Sequence, residues 1–157
     1  MRHKKVQKRE IEQDLKYKSV LVAKFVNYLM KNGKKNVAQS VLYNAFDLLQ
    51  KKNTDAVSLF ETAIQNVGPR QEVKPRRVGG ASYQIPMEVR ADRRTSIAIR
   101  WLILAAKGRP NKEYHTFSEK LAAELIDAAE NKGEAIKKRD SVLRMAQANR
   151  AFAHFKW

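Results

Sequence analysis

The chain has 157 residues and sets 32 Lys and Arg against 16 Asp and Glu, a formal net charge of +16 at pH 7 with its three histidines neutral. With 43% hydrophobic residues it can bury one core, so the charge sits on a folded body and makes nucleic acid or an anionic membrane surface the default partner, rather than an acidic small molecule. The absence of cysteine excludes disulfide scaffolds, cysteine-ligated zinc modules and thiol catalysis.

Residues 1–18 read as a basic N-terminal arm, in which Arg2, Lys4, Lys5, Lys8 and Arg9 precede the first acid, Glu10. No apolar core follows that start, and Glu10, Glu12 and Asp14 do not fit a transit peptide, so a soluble, cytoplasmic protein is expected. Residues 19–157 read as a single helical domain. Val20, Leu21, Phe25, Tyr28 and Leu29 recur at helical spacing, and Gly33 supplies a stop. A second helix begins near Lys35, with Ala38, Val41, Leu42, Ala45, Phe46 and Leu49 inward, and runs to about Lys52. Asn53 or Thr54 is the expected cap of a third, whose stripe is Ala56, Leu59, Phe60, Ala63, Ile64 and Val67 and which Gly68-Pro69 closes.

The period then changes. Tyr83, Ile85, Met87 and Val89 alternate with Ser82, Gln84, Pro86 and Glu88, and Gly79-Gly80 suits a tight turn, so residues 72–90 are predicted to form a β-hairpin. Pro75 and Pro86 cannot donate to a ladder and should block a third strand, which predicts a ribbon standing alone. Helical periodicity returns from Asp92 to Lys107. Thr116 and Glu119 fit a capping box for a fifth helix carrying Leu121, Leu125 and Ala128. After Gly133 a sixth runs from Glu134 to about Asn149, with Ile136, Leu143 and Ala146 inward. The expected fold is mainly α: six helices with a projecting two-stranded hairpin and a basic arm.

No residue set frames a reaction. His3, His115 and His154 are scattered, no HExxH or Gly-x-Ser-x-Gly occurs, and Gly33-Lys34-Lys35 fails as a phosphate loop because Tyr28 stands where its first glycine belongs. Ile97 to Ala106, the longest apolar stretch, is broken by Arg100 and falls short of the ~20 residues of a membrane span. Neither metal, cofactor, small-molecule substrate nor membrane is therefore expected.

The ribbon is more informative. Arg76 and Arg77 are neighbours on a strand and point to opposite faces, with Lys74, Arg70, Arg90, Arg93 and Arg94 close by, which predicts a ribbon positive on both sides. The bland alternative folds it back so that Tyr83, Ile85 and Met87 fill the core; the paired arginines favour projection. On the fourth helix Arg93, Arg100 and Lys107 are seven apart and form one basic seam on an otherwise apolar element. Snorkelling explains each singly, whereas their alignment favours a strip facing phosphates. Lys34 and Lys35 suit either a phosphate contact or a solvated turn. Met145, Ala148, Phe152 and Phe155 share a stripe, which favours docking on protein over base stacking by the aromatic ending that also holds His154 and Trp157.

The stretches Leu21-Val22-Ala23-Lys24-Phe25-Val26-Asn27-Tyr28-Leu29-Met30-Lys31-Asn32-Gly33-Lys34-Lys35, Val78-Gly79-Gly80-Ala81-Ser82-Tyr83-Gln84-Ile85-Pro86-Met87-Glu88-Val89-Arg90 and Ala148-Asn149-Arg150-Ala151-Phe152-Ala153-His154-Phe155 closely resemble the bacterial family of the seventh small-subunit ribosomal protein. Lys8-Arg9-Glu10-Ile11 and Lys137-Lys138-Arg139 are similar to further landmarks of that family. The resemblance implies a primary binder of small-subunit ribosomal RNA that docks on the 3′ major domain and nucleates head assembly near the exit-site tRNA and the mRNA path, beside the ninth and eleventh small-subunit proteins. It implies an RNA-facing set of Arg2, Lys4, Lys5, Lys8, Arg9, Lys34, Lys35, Arg93, Arg94 and Arg109, to which the seam adds Arg100 and Lys107. Arg76, Arg77 and Tyr83, with Lys74 beside them on the ribbon, are implied on the exit-site side. Relatives commonly carry a proline near Asp14, where this chain reads Gln13-Asp14-Leu15. The alternatives are an architectural DNA binder that uses the ribbon as a minor-groove arm and, from another class, an RNA-processing enzyme.

Overall fold

The computed structural model describes residues 10–51 and 55–155. Asp14, in the turn before the first helix, is buried to 5% exposure. Its carboxylate accepts from the backbone N–H groups of Lys16 and Tyr17 at 3.2 Å and from the Tyr43 hydroxyl at 2.8 Å, so the turn before the first helix is fastened to the second.

Helix α1 spans Val20–Leu29 and α2 spans Lys35–Gln50, joined by a turn in which Asn32 and Gly33 take positive φ. The buried face of α1 is Val22, Ala23, Phe25 and Val26, whereas Val20 and Tyr28 of the expected stripe are exposed. That stripe spans more of the helix surface than one contact covers, and the residues at its margins remain in solvent. Helix α3, Ala56–Val67, is capped by Asp55, whose side chain accepts from Val57 N–H at 3.2 Å, rather than by Asn53 or Thr54, which lie outside the described residues. Tyr17, Phe46, Phe60 and Phe25 meet edge to face with centroids 5.0–5.3 Å apart and tie the three helices together.

Strands β1, Gln71–Val78, and β2, Ala81–Glu88, form one antiparallel ribbon. Gly79 and Gly80, at φ +58° and +88°, make the two-residue turn, as positive φ at both central positions requires. Val89 N–H donates to Arg70 C=O at 3.0 Å. Counting pairs from there and from the turn puts Val73↔Pro86 and Pro75↔Gln84 at non-hydrogen-bonded sites, so both proline nitrogens point away from the ladder.

The ribbon does not stand alone at its base. Opposed residues share a face, which gathers Glu72, Lys74, Arg76, Tyr83, Ile85 and Met87 on one side. Ile85 on that side is fully buried, Tyr83 and Met87 are half-buried, and Tyr83 packs on Phe152 with centroids 5.2 Å apart. Alternation creates an apolar face, and such a face requires a cover. Arg76, on the covered side, is half-buried, while Arg77 and the turn are exposed. The ribbon is therefore seated below and clear above, a middle course between the two arrangements that the sequence suggests.

Helix α4, Ala91–Gly108, α5, Phe117–Ala129, and α6, Glu134–Ala148, complete the six, followed by a 3₁₀ turn at Arg150–Phe155. Thr116 and Glu119 form the expected reciprocal capping box. Helix α5 lies centrally, packing on α2, α3 and α4, with Leu121, Leu125 and Ala128 buried. In α6, Ile136 and Ala146 are buried and Leu143 half-buried, while Met145 and Ala148 are exposed. Of the expected terminal stripe, Phe152 finds its partner on the ribbon, not on the helical core.

Candidate nucleic-acid interface

The implied cations separate into two groups according to what their charged ends touch. Lys34 and Lys35 are exposed at the turn entering α2, where no side chain caps the helix and no acid lies in the first turn. The Lys34 and Lys35 amides donate to the Lys31 and Gly33 carbonyls at 3.0 and 2.8 Å, and the helix end carries partial positive charge, so lysine and helix act on an anion with the same sign.

Arg93, Arg100 and Lys107 lie along the outer side of α4, each step of seven residues rising ~10.5 Å. Arg93 meets Glu72 of the ribbon through a forked pair, Nε to Oε1 at 2.8 Å and Nη2 to Oε2 at 2.8 Å, and Lys74 joins the same carboxylate at 3.3 Å. The Arg93 hydrogen bonds hold the Glu72 carboxyl below its ordinary range, against the opposing effect of burial. Among the described residues Arg100 donates only to the Ser96 carbonyl of its own helix, and Lys107 has no ion pair; both are exposed. The seam is thus neutralised at its ribbon end and open along the rest.

A family model described as ribosomal protein S7p/S5e matches residues 1–150. The protein named small ribosomal subunit protein uS7 from Syntrophus aciditrophicus is 57% identical over 157 residues, 99% of each chain. Those of the same name from Sorangium cellulosum and Beijerinckia indica are 52% and 49% identical, again over 99% of each chain. The chain belongs to this ribosomal protein family.

Within this S7p/S5e chain the second group of cations faces inward. Arg94 donates from Nε to the Gly68 carbonyl at 2.9 Å and from Nη2 to the Gln65 carbonyl at 3.1 Å, closing the end of α3. A Cβ at Gly68 would lie 2.8 Å from the Arg94 side chain, so the glycine leaves room for the guanidinium stem. Arg139 completes that end through the Asn66 carbonyl at 2.8 Å.

Arg109 is more deeply committed. Its side chain is 15% exposed and forks to Glu124, fully buried, at 2.8 Å from Nε and 2.6 Å from Nη2, with Asp127 as second acid and Tyr114 at 3.3 Å. Burial pulls the guanidinium down, but its bonds to Asp127 and Glu124 outweigh that and hold it above its ordinary range. The other oxygen of Glu124 accepts from Ala135 N–H at 3.1 Å, which joins α5 to the start of α6. Lys120, a buried lysine that sequence reasoning passed over, donates to the Arg109 carbonyl at 2.6 Å and to Asn111 Oδ1 at 2.5 Å, fixing the loop after α4.

On the ribbon, Lys74 and Arg77 are exposed, while Arg76 and Tyr83, which share the face of Lys74, are half-buried. Arg2, Lys4, Lys5, Lys8 and Arg9 lie outside the described residues, as does Trp157. Tyr28 and Trp101 were missed as site residues. Each reads as the margin of an apolar stripe, and only the packing of α1 on α4 brings them to one groove beside Arg100 and Lys107.

Proposed function

We propose that the protein is a non-catalytic structural component of the small ribosomal subunit in the bacterial cytoplasm. It acts as a primary binder of the 3′ major domain of small-subunit ribosomal RNA and nucleates assembly of the head. The chain is one helical domain over residues 19–157 with a basic arm over 1–18, whose last turn is held by Asp14. Full-length similarity to proteins named as small-subunit components is the observation that carries this reading. The outward, unneutralised Lys34, Lys35, Arg100 and Lys107 give it a mechanism: cations neutralise phosphates for affinity, and the rigid helices hold them in register so that RNA shape sets the choice.

Arg2, Lys4, Lys5, Lys8 and Arg9 extend that surface, and Arg93 contributes while paired to Glu72. Arg94 and Arg109 support it from within. In this reading Lys74, Arg76, Arg77 and Tyr83 face the exit-site tRNA near the mRNA path, and the ninth and eleventh small-subunit proteins are the neighbours. Competition between a head-domain RNA fragment and duplex DNA, at stepped salt, tests the reading. Binding through ~6–10 phosphates loses roughly 10³ to 10⁵ in affinity between ~50 and ~200 mM salt. Preference for the duplex, or binding insensitive to salt, would overturn it in favour of a DNA-binding arm or a non-electrostatic contact.

A further inference from the structure

The seam of α4 has an apolar floor that phosphate contacts do not use. Trp101 is half-buried, Leu104 is 64% exposed, and Tyr28 reaches in from α1 with 43% of its surface exposed. With Arg100 and Lys107 they line an open groove of about 560 Å³, inside the ~300–1,000 Å³ range of small-ligand clefts. Neither the Tyr28 hydroxyl nor the Trp101 indole N–H has a hydrogen-bond partner among the described residues, so both donors are available to a ligand.

Charge in the groove is one-sided. Among the described residues its one lining carboxylate, Glu72, is already held by Arg93 at 2.8 Å and Lys74 at 3.3 Å. Arg100 and Lys107 have no ion pair among the described residues. Two aromatic rings and an exposed leucine beside two uncompensated cations fit a ligand that is flat and apolar on one side and anionic on the other. A base with its phosphates has that chemistry, and stacking on aromatic side chains is how unpaired bases are held without regard to sequence. An acidic peptide would satisfy the cations but would use the rings less fully.

We propose that this groove takes an unpaired nucleotide of a single-stranded RNA segment, its base stacked against Trp101 and Tyr28 over Leu104 and its phosphates on Arg100 and Lys107. The proposal rests on the RNA-binding reading and adds to it a site for one extruded base, which a phosphate strip alone does not need.

Trp101 reports on its own occupancy. The chain has two tryptophans, so the full-length protein carrying Trp157→Phe emits from Trp101 alone. It is titrated with a uridine ribo-oligomer of about ten nucleotides and with an abasic ribose-phosphate oligomer of equal length. The expected result is quenching of Trp101 by the uridine oligomer and affinity about fivefold or more above that of the abasic one. Tyr28→Ala with Leu104→Ala should abolish most of that preference and leave the abasic affinity unchanged. Equal binding of both oligomers without quenching would overturn the base site while leaving RNA binding intact. Failure to bind either oligomer or head-domain RNA would overturn the underlying reading itself. Quenching by an acidic, phenylalanine-containing peptide and not by RNA would assign the groove to a protein partner.

Discussion

Lys107 and Arg109 stand two residues apart at the end of one helix and have opposite employments. Lys107 is exposed with no ion pair among the described residues, while Arg109 is folded against Glu124 and Asp127 with 15% of its side chain in solvent. The chain turns inward after Gly108, and this turn sends one cation to the surface and the other into the body. On a protein with so large a positive excess, cations therefore divide by partner rather than by position in the sequence. Those that meet carboxylates or helix-end carbonyls hold the fold, and those without an ion pair among the described residues are the ones the proposed function assigns to RNA.

Breaking the inward side should have the largest effect. Glu124→Ala leaves Arg109 with Asp127 alone and removes the acceptor of Ala135 N–H. Breaking a buried pair costs ~3–5 kcal/mol, and with one acid remaining a loss of about 3 kcal/mol in urea unfolding is expected. RNA affinity of the folded fraction should not change; a large affinity loss at full stability would merge the two groups.

A smaller loss is expected at the pinned turn. Tyr43→Phe removes the hydroxyl that donates to Asp14 at 2.8 Å, which should cost about 2 kcal/mol for a bond to a buried charge. Burial, then the hydrogen bond to Asp14, pushes the Tyr43 hydroxyl up to about 12 from its ordinary 10.0. A raised value favours the protonated, folded form, so this contribution is complete below pH 10.0 and is lost as pH rises through about 12. In Tyr43→Phe the alkaline fall of stability over that window should be shallower than in the wild type.

The outward side should hardly register in stability. Arg100→Ala with Lys107→Ala is expected to shift unfolding by no more than ~0.5 kcal/mol. The salt dependence of RNA binding, log K against log [salt], should flatten by about 1.4–1.8 for two lost phosphate contacts. A destabilisation as large as that of Glu124→Ala would show that the seam is structural.

What the sequence made legible follows from how local each signal is. The hairpin came from two-residue alternation and a Gly-Gly turn, and the α5 start from Thr116 and Glu119, all within a few residues. The inward arginines were not legible, because Arg94 meets carbonyls 26 and 29 residues earlier and Arg109 meets acids 15 and 18 residues later. Nothing in the spacing of Arg109 distinguishes it from Lys107. The ribbon's seat was half-legible: alternation marked Tyr83 and Ile85 as one face, but its cover, Phe152, comes from a distant part of the chain. The same holds for Trp101 and Tyr28, whose nearness depends on helix packing.

That distance between Tyr83 and Phe152 also has a meaning in time. A ribosome adding ~5–20 residues each second makes Phe152 roughly 3–14 s after Tyr83. Throughout that interval the nascent ribbon lacks the ring that rests on it, and two strands by themselves are marginal in water. The ribbon thus acquires its fixed direction among the last events of synthesis, when the helices it leans on already exist.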